Sequence, residues 1–143
     1  MNRKILIVDD EVNIRESLSS HFRFLGYDVA LASDGQSAID HLSENRTDIV
    51  ISDIVMPGMN GVDLLKHIRG HHPMIKVIMI TGYVTQENAL TCMRQNACAL
   101  IFKPFEDITE LEQAVNKAFQ ILESWETVLY KLHDMKVKNE PKR

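Results

Sequence analysis

The chain has 143 residues, 45% of them hydrophobic and 25% charged, with a net charge of −4. That is ordinary composition for one globular domain and excludes a disordered, collagenous or disulfide-scaffold protein. No apolar run approaches the roughly 18 residues of a membrane span, the N-terminal apolar run is too short for a signal peptide, and the acidic balance argues against a general nucleic-acid binder.

Ile5-Leu6-Ile7-Val8 opens the pattern and ends in Asp9-Asp10-Glu11. Such a continuous, β-branched run suits a parallel strand buried on both faces. Ile14, Leu18, Phe22 and Leu25 then recur at helical spacing and stop at Gly26, a good C-cap. The second run, Tyr27 to Leu31, alternates and carries Asp28, which predicts an edge strand. Ala38, Ile39 and Leu42 form a short helical stripe capped by Ser33 or Asp34. Ile49-Val50-Ile51 is the third strand and leads to Asp53. Val62, Leu65 and Ile68 follow Asn60-Gly61 in a helix ending near Gly70. Val77 to Ile80 is the fourth strand, leading to Thr81-Gly82. Ala89, Leu90 and Met93 follow the cap Thr85, and Asn96 stands where a left-handed residue would end that helix. Ala99 to Phe102 is the fifth strand and leads to Lys103-Pro104. The last helix is expected from Glu106 to Lys138, roughly 50 Å at 1.5 Å per residue, with Pro141 ending the pattern.

Strand and helix alternate five times, which predicts an α/β fold with a doubly wound parallel sheet and right-handed crossovers. Ligands in such sheets bind outside the carboxyl ends of the strands. There the chain places three aspartates, a threonine and a lysine. The first turn is acidic and lacks the glycine loop of a nucleotide site. Clustered carboxylates disfavour one another's ionisation. A hard divalent ion with oxygen ligands, such as Mg²⁺, resolves that conflict. Such an ion neutralises phosphoryl oxygens, Lys103 and Thr81 bind others, and one carboxylate acts as nucleophile to give an acyl phosphate.

Four motifs, in order at four strand ends, resemble the receiver domain of bacterial two-component response regulators. They are Asp9-Asp10, Asp53 with Met56-Pro57-Gly58-Met59-Asn60-Gly61, Thr81-Gly82, and Lys103-Pro104-Phe105. The resemblance covers roughly residues 3 to 122. It implies a five-stranded (βα)5 flavodoxin-like fold, strand order 2-1-3-4-5, with an extended C-terminal helix. It implies that Asp53 takes a phosphoryl group from a sensor histidine kinase or phosphotransfer protein. Asp10, Asp53 and the Val55 carbonyl would hold Mg²⁺ directly, and Asp9 through water. Lys103 would contact the phosphoryl group, with a cis bond to Pro104, and Thr81 would swing toward it and report to the fourth helix and fifth strand. A signalling switch of this kind, rather than an enzyme with an external substrate, is expected in the cytoplasm. In many relatives an aromatic residue precedes the lysine by three positions and completes the switch; here that position is Leu100. Tyr83 could report in its stead, although it also reads as an exposed loop aromatic. Val55 and Tyr83 flank the path of attacking water, and an apolar pair there predicts a long-lived phosphoform.

Other features are read more plainly. His67 and His71, with His72 adjacent, have the spacing of a helical metal pair, but no acidic or thiol partner lies nearby in pattern and the helix should end there, so they are expected to be surface histidines. Cys92 and Cys98 fit no zinc or redox spacing and are expected to be buried. In the last helix Ile108, Leu111, Val115, Ala118, Leu122, Trp125, Leu129 and Leu132 alternate spacings of three and four. The first half should pack on the sheet. Leu122, Trp125, Leu129 and Leu132 continue past it, where an exposed apolar stripe marks a partner. The chain therefore divides into a receiver, 1–122, and a helical extension, 123–143, serving a homodimer or as a linker to an output domain absent here. No nucleic-acid or membrane contact is indicated. The alternatives are a phosphorylation-independent docking module, disfavoured by the intact Asp10, Asp53, Thr81 and Lys103 set, and an aspartyl phosphatase, disfavoured by Glu11 two residues after Asp9.

Overall fold

A computed structural model describes residues 3–104 and 107–139. The strands are β1 (Lys4–Val8), β2 (Asp28–Ala32), β3 (Ile49–Asp53), β4 (Lys76–Thr81) and β5 (Ala99–Phe102). All are parallel, in the order β2-β1-β3-β4-β5. The helices α1 (Val12–Phe24), α2 (Gly35–Glu44), α3 (Gly61–His71), α4 (Gln86–Arg94) and α5 (Thr109–Asn139) alternate with them. This is the doubly wound, flavodoxin-like arrangement expected, long last helix included.

Alternation along the central strands builds two cores. Leu6, Val8, Val50, Val77 and Met79 face α2, α3 and α4, while Ile5, Ile7, Ile49, Ile51, Ile78 and Ile80 face α1 and α5. Each fully buried aliphatic side chain contributes about 1.5–3 kcal/mol, so these strands hold the rim rigid. Capping follows the short polar residues. Asp34, Asn60 and Thr85 accept from the N–H groups of Ser37, Asp63 and Asn88, satisfying donors at the starts of α2, α3 and α4. Asp34 rather than Ser33 is therefore the cap, and the Ser37 N–H holds its carboxyl below the ordinary range. Gly26 at φ 95° and Asn96 at φ 59° take the left-handed conformation just after α1 and α4.

Four expectations change. Leu25 is 47% exposed, because α1 stops one residue before it and the chain turns at Gly26. In α4 the buried residue is Cys92, and Leu90 and Met93 face outward. The helix has only nine residues, and its two turns rest on the sheet one position away from the stripe read in the sequence. Cys98 is exposed, unlike Cys92, and lies just before β5. That strand is the second edge, half-buried rather than covered on both faces.

The expected helix start at Glu106, the stop at Pro141 and the motif residue Phe105 lie outside the described residues. Within α5, Leu111, Val115, Ala118 and Phe119 are buried against the sheet. Arg3 lies over the Phe119 ring, 5.1 Å from its centroid, and pairs with Glu123. Past that clasp, Leu122 is half-buried, while Trp125, Leu129 and Leu132 are exposed. None of the described helices is long and apolar enough to cross a membrane.

Candidate functional site

The carboxyl ends of β1, β3, β4 and β5 meet at one rim because parallel strands all end on the same side. An open cleft there is lined by Asp10, Glu11, Asp53, Thr81 and Lys103, among others. Asp9 and Asp53 end hydrophobic strands and are almost fully buried, whereas Asp10 begins the turn and is exposed. One carboxylate oxygen from each of the three lies within 4.8 Å of the others.

Lys103 reaches across the sheet from the end of β5. Its Nζ donates to Asp9 Oδ2 at 2.7 Å and to Asp53 Oδ2 at 3.0 Å, and stands 3.7 Å from Glu11 Oε1. The Lys103–Pro104 peptide bond is cis. Burial opposes the charge on Lys103, but its hydrogen bonds to Asp9 and Asp53 outweigh it and raise the ammonium above the ordinary lysine range. Burial pushes the Asp53 carboxyl up, and the Lys103 hydrogen bond only partly offsets this. Asp53 is thus a carboxylate held ionised at a cost, which favours any added positive charge.

The remaining oxygens have assigned neighbours. Asp9 Oδ1 accepts from the Glu11 N–H at 2.9 Å, and Asp53 Oδ1 from the Val55 N–H at 3.3 Å. The Thr81 hydroxyl, fully buried, donates to the Tyr83 carbonyl at 2.6 Å and accepts from the Tyr83 N–H at 3.2 Å. It is turned onto the β4–α4 loop. Val55 and Tyr83 are exposed at the cleft. Leu100 is half-buried in the core beneath α4. The rim therefore gathers Asp9, Asp10, Asp53, Thr81, Lys103, Val55 and Tyr83, while Leu100 lies below it.

Three further residues shape the site. Glu11 adds a fourth carboxylate beside Lys103. Arg15 donates to the Asp9 carbonyl at 2.7 Å, tying α1 to the turn. Gly61 starts α3 against the backbone of Asp53. Glu11 was visible in the acidic turn and Gly61 in the motif after Asp53, though not its contact with the Asp53 backbone; Arg15 acts on a backbone carbonyl and leaves no pattern in a sequence.

The donor set is hard: all three clustered groups are oxygen anions, with Lys103 the cation among them. That suits a divalent ion of the Mg²⁺ kind. Chemically, the rim can neutralise and orient a phosphoryl group beside a buried carboxylate nucleophile.

Comparison with known proteins agrees with that chemistry. A family model described as response regulator receiver domain matches residues 5–116. Regulatory protein AtoC of Escherichia coli K12 is 38% identical over 91% of this chain, which spans only 28% of AtoC. Sporulation initiation phosphotransferase F of Bacillus subtilis is 38% identical over 82% of this chain and 94% of its own length. Among solved structures, a CheY-like receiver domain protein from Methanospirillum hungatei superposes with a TM-score of 0.81 at 30% identity, covering 87% of this chain and 99% of that one. Response regulator protein TrrA of Thermotoga maritima, solved in complex with Mg²⁺–BeF, gives 0.74 at 34% identity over 81% of this chain and 98% of its own.

Proposed function

This chain belongs to the response regulator receiver domain family, whose members are switches in phosphorelay signalling, and we propose that its switch is thrown by phosphorylation of Asp53. The observation that carries this is Lys103 Nζ within hydrogen-bond reach of both Asp9 and Asp53, beside three carboxylates drawn within 4.8 Å. An Asp53 oxygen attacks the phosphorus of a phosphohistidine on a sensor kinase or phosphotransfer protein. The P–N bond breaks, its electron pair returns to the imidazole, and an acyl phosphate forms.

Asp10, Asp53 and the Val55 carbonyl would hold Mg²⁺ directly, and Asp9 through water. When bound, the ion supplies the charge that neutralises the phosphoryl oxygens. Lys103 pairs with one phosphoryl oxygen, exchanging a carboxylate partner for a phosphate. Thr81 leaves the Tyr83 backbone to donate to another. Breaking that pair of hydrogen bonds frees the β4–α4 loop, so the event at Asp53 is felt on the face formed by α4, β5 and α5.

In this reading residues 1–122 are the receiver and 123–143 an extension that pairs with a second copy or connects to an output domain. Treating the chain with acetyl phosphate and Mg²⁺, followed by intact mass, tests the core of the proposal. One phosphoryl group should be gained by the wild type and none by Asp53→Asn. No gain in either protein would favour a docking module that works without phosphorylation.

A further inference from the structure

Of the three clustered carboxylates only Asp10 is exposed; Asp9 and Asp53 sit buried at the ends of strands. Yet one Asp10 oxygen lies within 4.8 Å of oxygens of both the others. An exposed side chain has several rotamers open to it, so its aim depends on the backbone that carries it. Both peptide planes flanking Asp10 are pinned. On its carboxyl side the Glu11 N–H donates to Asp9 Oδ1 at 2.9 Å. On its amino side the Asp9 carbonyl accepts from Arg15 Nη1 at 2.7 Å. Arg15 is half-buried, and its backbone N–H donates to the Glu11 carbonyl at 3.1 Å, so the guanidinium reaches back to the turn from the first turn of a formed helix.

The start of α1 lacks the fastening found elsewhere. Asp34, Asn60 and Thr85 cap α2, α3 and α4 with their own side chains, whereas Glu11, in the same position before α1, makes no such bond. Its carboxylate stands 3.7 Å from Lys103 Nζ instead. The turn that carries Asp10 is therefore held from its two sides, by Asp9 and by Arg15. A guanidinium suits the second role, because a charged donor makes a shorter and stronger hydrogen bond to a carbonyl than a neutral one.

We propose that Arg15 is a positioning residue for the Mg²⁺ rim: by fixing the Asp9 carbonyl it aims the Asp10 carboxylate at the ion. This role rests on the reading of Asp10 as a metal ligand given above. Charge alone predicts the opposite effect. A cation beside a divalent ion repels it, so removing Arg15 would tighten binding if only its charge mattered. Losing an outer partner that orients a ligand weakens metal binding by about tenfold or more. The signs differ, so one titration separates them. The full chain is titrated with Mn²⁺, which takes the same oxygen donors as Mg²⁺, and unbound ion is counted by electron paramagnetic resonance. Arg15→Met, a long side chain with no donor, should weaken Mn²⁺ about tenfold. Arg15→Lys, which keeps a cationic donor, should regain part of that loss. Thermal melts without metal report the fold, and Arg15→Gln replaces Arg15→Met if the latter is unfolded. A role confined to holding α1 would lower the melting temperature and leave Mn²⁺ affinity at the wild-type level. That result overturns the proposal, as does tighter binding. Asp10→Asn is the reference. If it loses the ion while Arg15→Met keeps it, the role of Arg15 alone is overturned. If the wild type binds no Mn²⁺, or Asp10→Asn binds it unchanged, the metal reading has failed and the role of Arg15 falls with it.

Discussion

Gly61 stands directly behind the carbonyl of Asp53: a Cβ on Gly61 would lie 2.0 Å from that carbonyl oxygen and 2.9 Å from its carbon. The backbone of Gly61 is not left-handed, so space rather than conformation demands glycine there. Its N–H donates to the Ile54 carbonyl at 2.8 Å, fastening the first turn of α3 to the end of β3. A methyl group facing backbone cannot be relieved by a rotamer change. Gly61→Ala should therefore cost about 3 kcal/mol or more, read as a lower urea midpoint. Gly35→Ala meets only the side chain of Met59, at 2.9 Å. That chain can turn, and the cost should stay under about 1.5 kcal/mol. Equal losses in the two variants would refute the distinction.

Lys103 is the ammonium shared by two buried carboxylates. Lys103→Met leaves Asp9 and Asp53 facing each other without it, and removing one partner of a buried ion pair costs about 3–5 kcal/mol. Thermal melts in EDTA should show that loss. Added Mg²⁺ should restore part of it by binding the folded state, and Asp53→Asn in the same chain should restore part of it without metal. A Lys103→Met protein as stable as wild type in EDTA would mean the carboxylates do not need the cation.

The raised pKa of Asp53 has a definite sign in stability. Its folded pKa lies above the unfolded one because burial outweighs Lys103. The associated stabilisation is therefore fully present below the ordinary aspartate range and is lost as pH rises through the folded value. At pH 7 the ionised group is a net cost. Without metal, Asp53→Asn should melt a few degrees higher than wild type at pH 7, with the gap closing as pH falls into the acid range. A lower melting temperature for Asp53→Asn at pH 7 would reverse the sign. Mg²⁺ should narrow the gap by stabilising only the wild type.

How much of this was readable beforehand follows from which forces leave a periodic trace. Strands β1, β3 and β4 show as unbroken apolar runs because both faces are covered, and the rim residues show because each run ends in one. The caps Asp34 (read as Ser33 or Asp34) and Thr85 show because a short polar side chain precedes each helix. In α4 the trace fails: Ala89, Leu90, Cys92 and Met93 ring a nine-residue helix, and only contact with the sheet selects Cys92. The division of Lys103 between two aspartates is a tertiary relationship between distant residues, and the hold of Thr81 on Tyr83 and the squeeze at Gly61 depend on the local path of the backbone rather than on periodicity. Composition and spacing carry no record of them.

Val55 and Tyr83 are both exposed at the mouth of the cleft, and neither offers a carboxamide or carboxylate to orient water. An acyl phosphate behind them should be shielded from hydrolysis and persist well beyond seconds in Mg²⁺. Val55→Asn with Tyr83→Ser should shorten its lifetime by on the order of tenfold, as water gains entry and a polar guide. Loss of the label within seconds from the wild type, followed by intact mass, would show that the apolar pair does not shield.

The same helix that packs on the sheet runs on past it. Leu111, Val115 and Ala118 are buried, yet Trp125 is 57%, Leu129 61% and Leu132 55% exposed on the continuation of the same seam. Ile121, Val128 and Met135 flank it and widen the apolar stripe. Where α5 runs past the sheet, this exposed apolar stripe is of the kind that marks a partner. A second copy fills that role by laying the same seam against itself, as heptad spacing allows. The full chain should then run as a dimer in light scattering. Trp125→Asp with Leu129→Asp should return it to a monomer while leaving phosphoryl uptake at Asp53 unchanged. A wild-type chain that stays monomeric at high concentration would overturn the pairing of two copies and leave the stripe to a different partner.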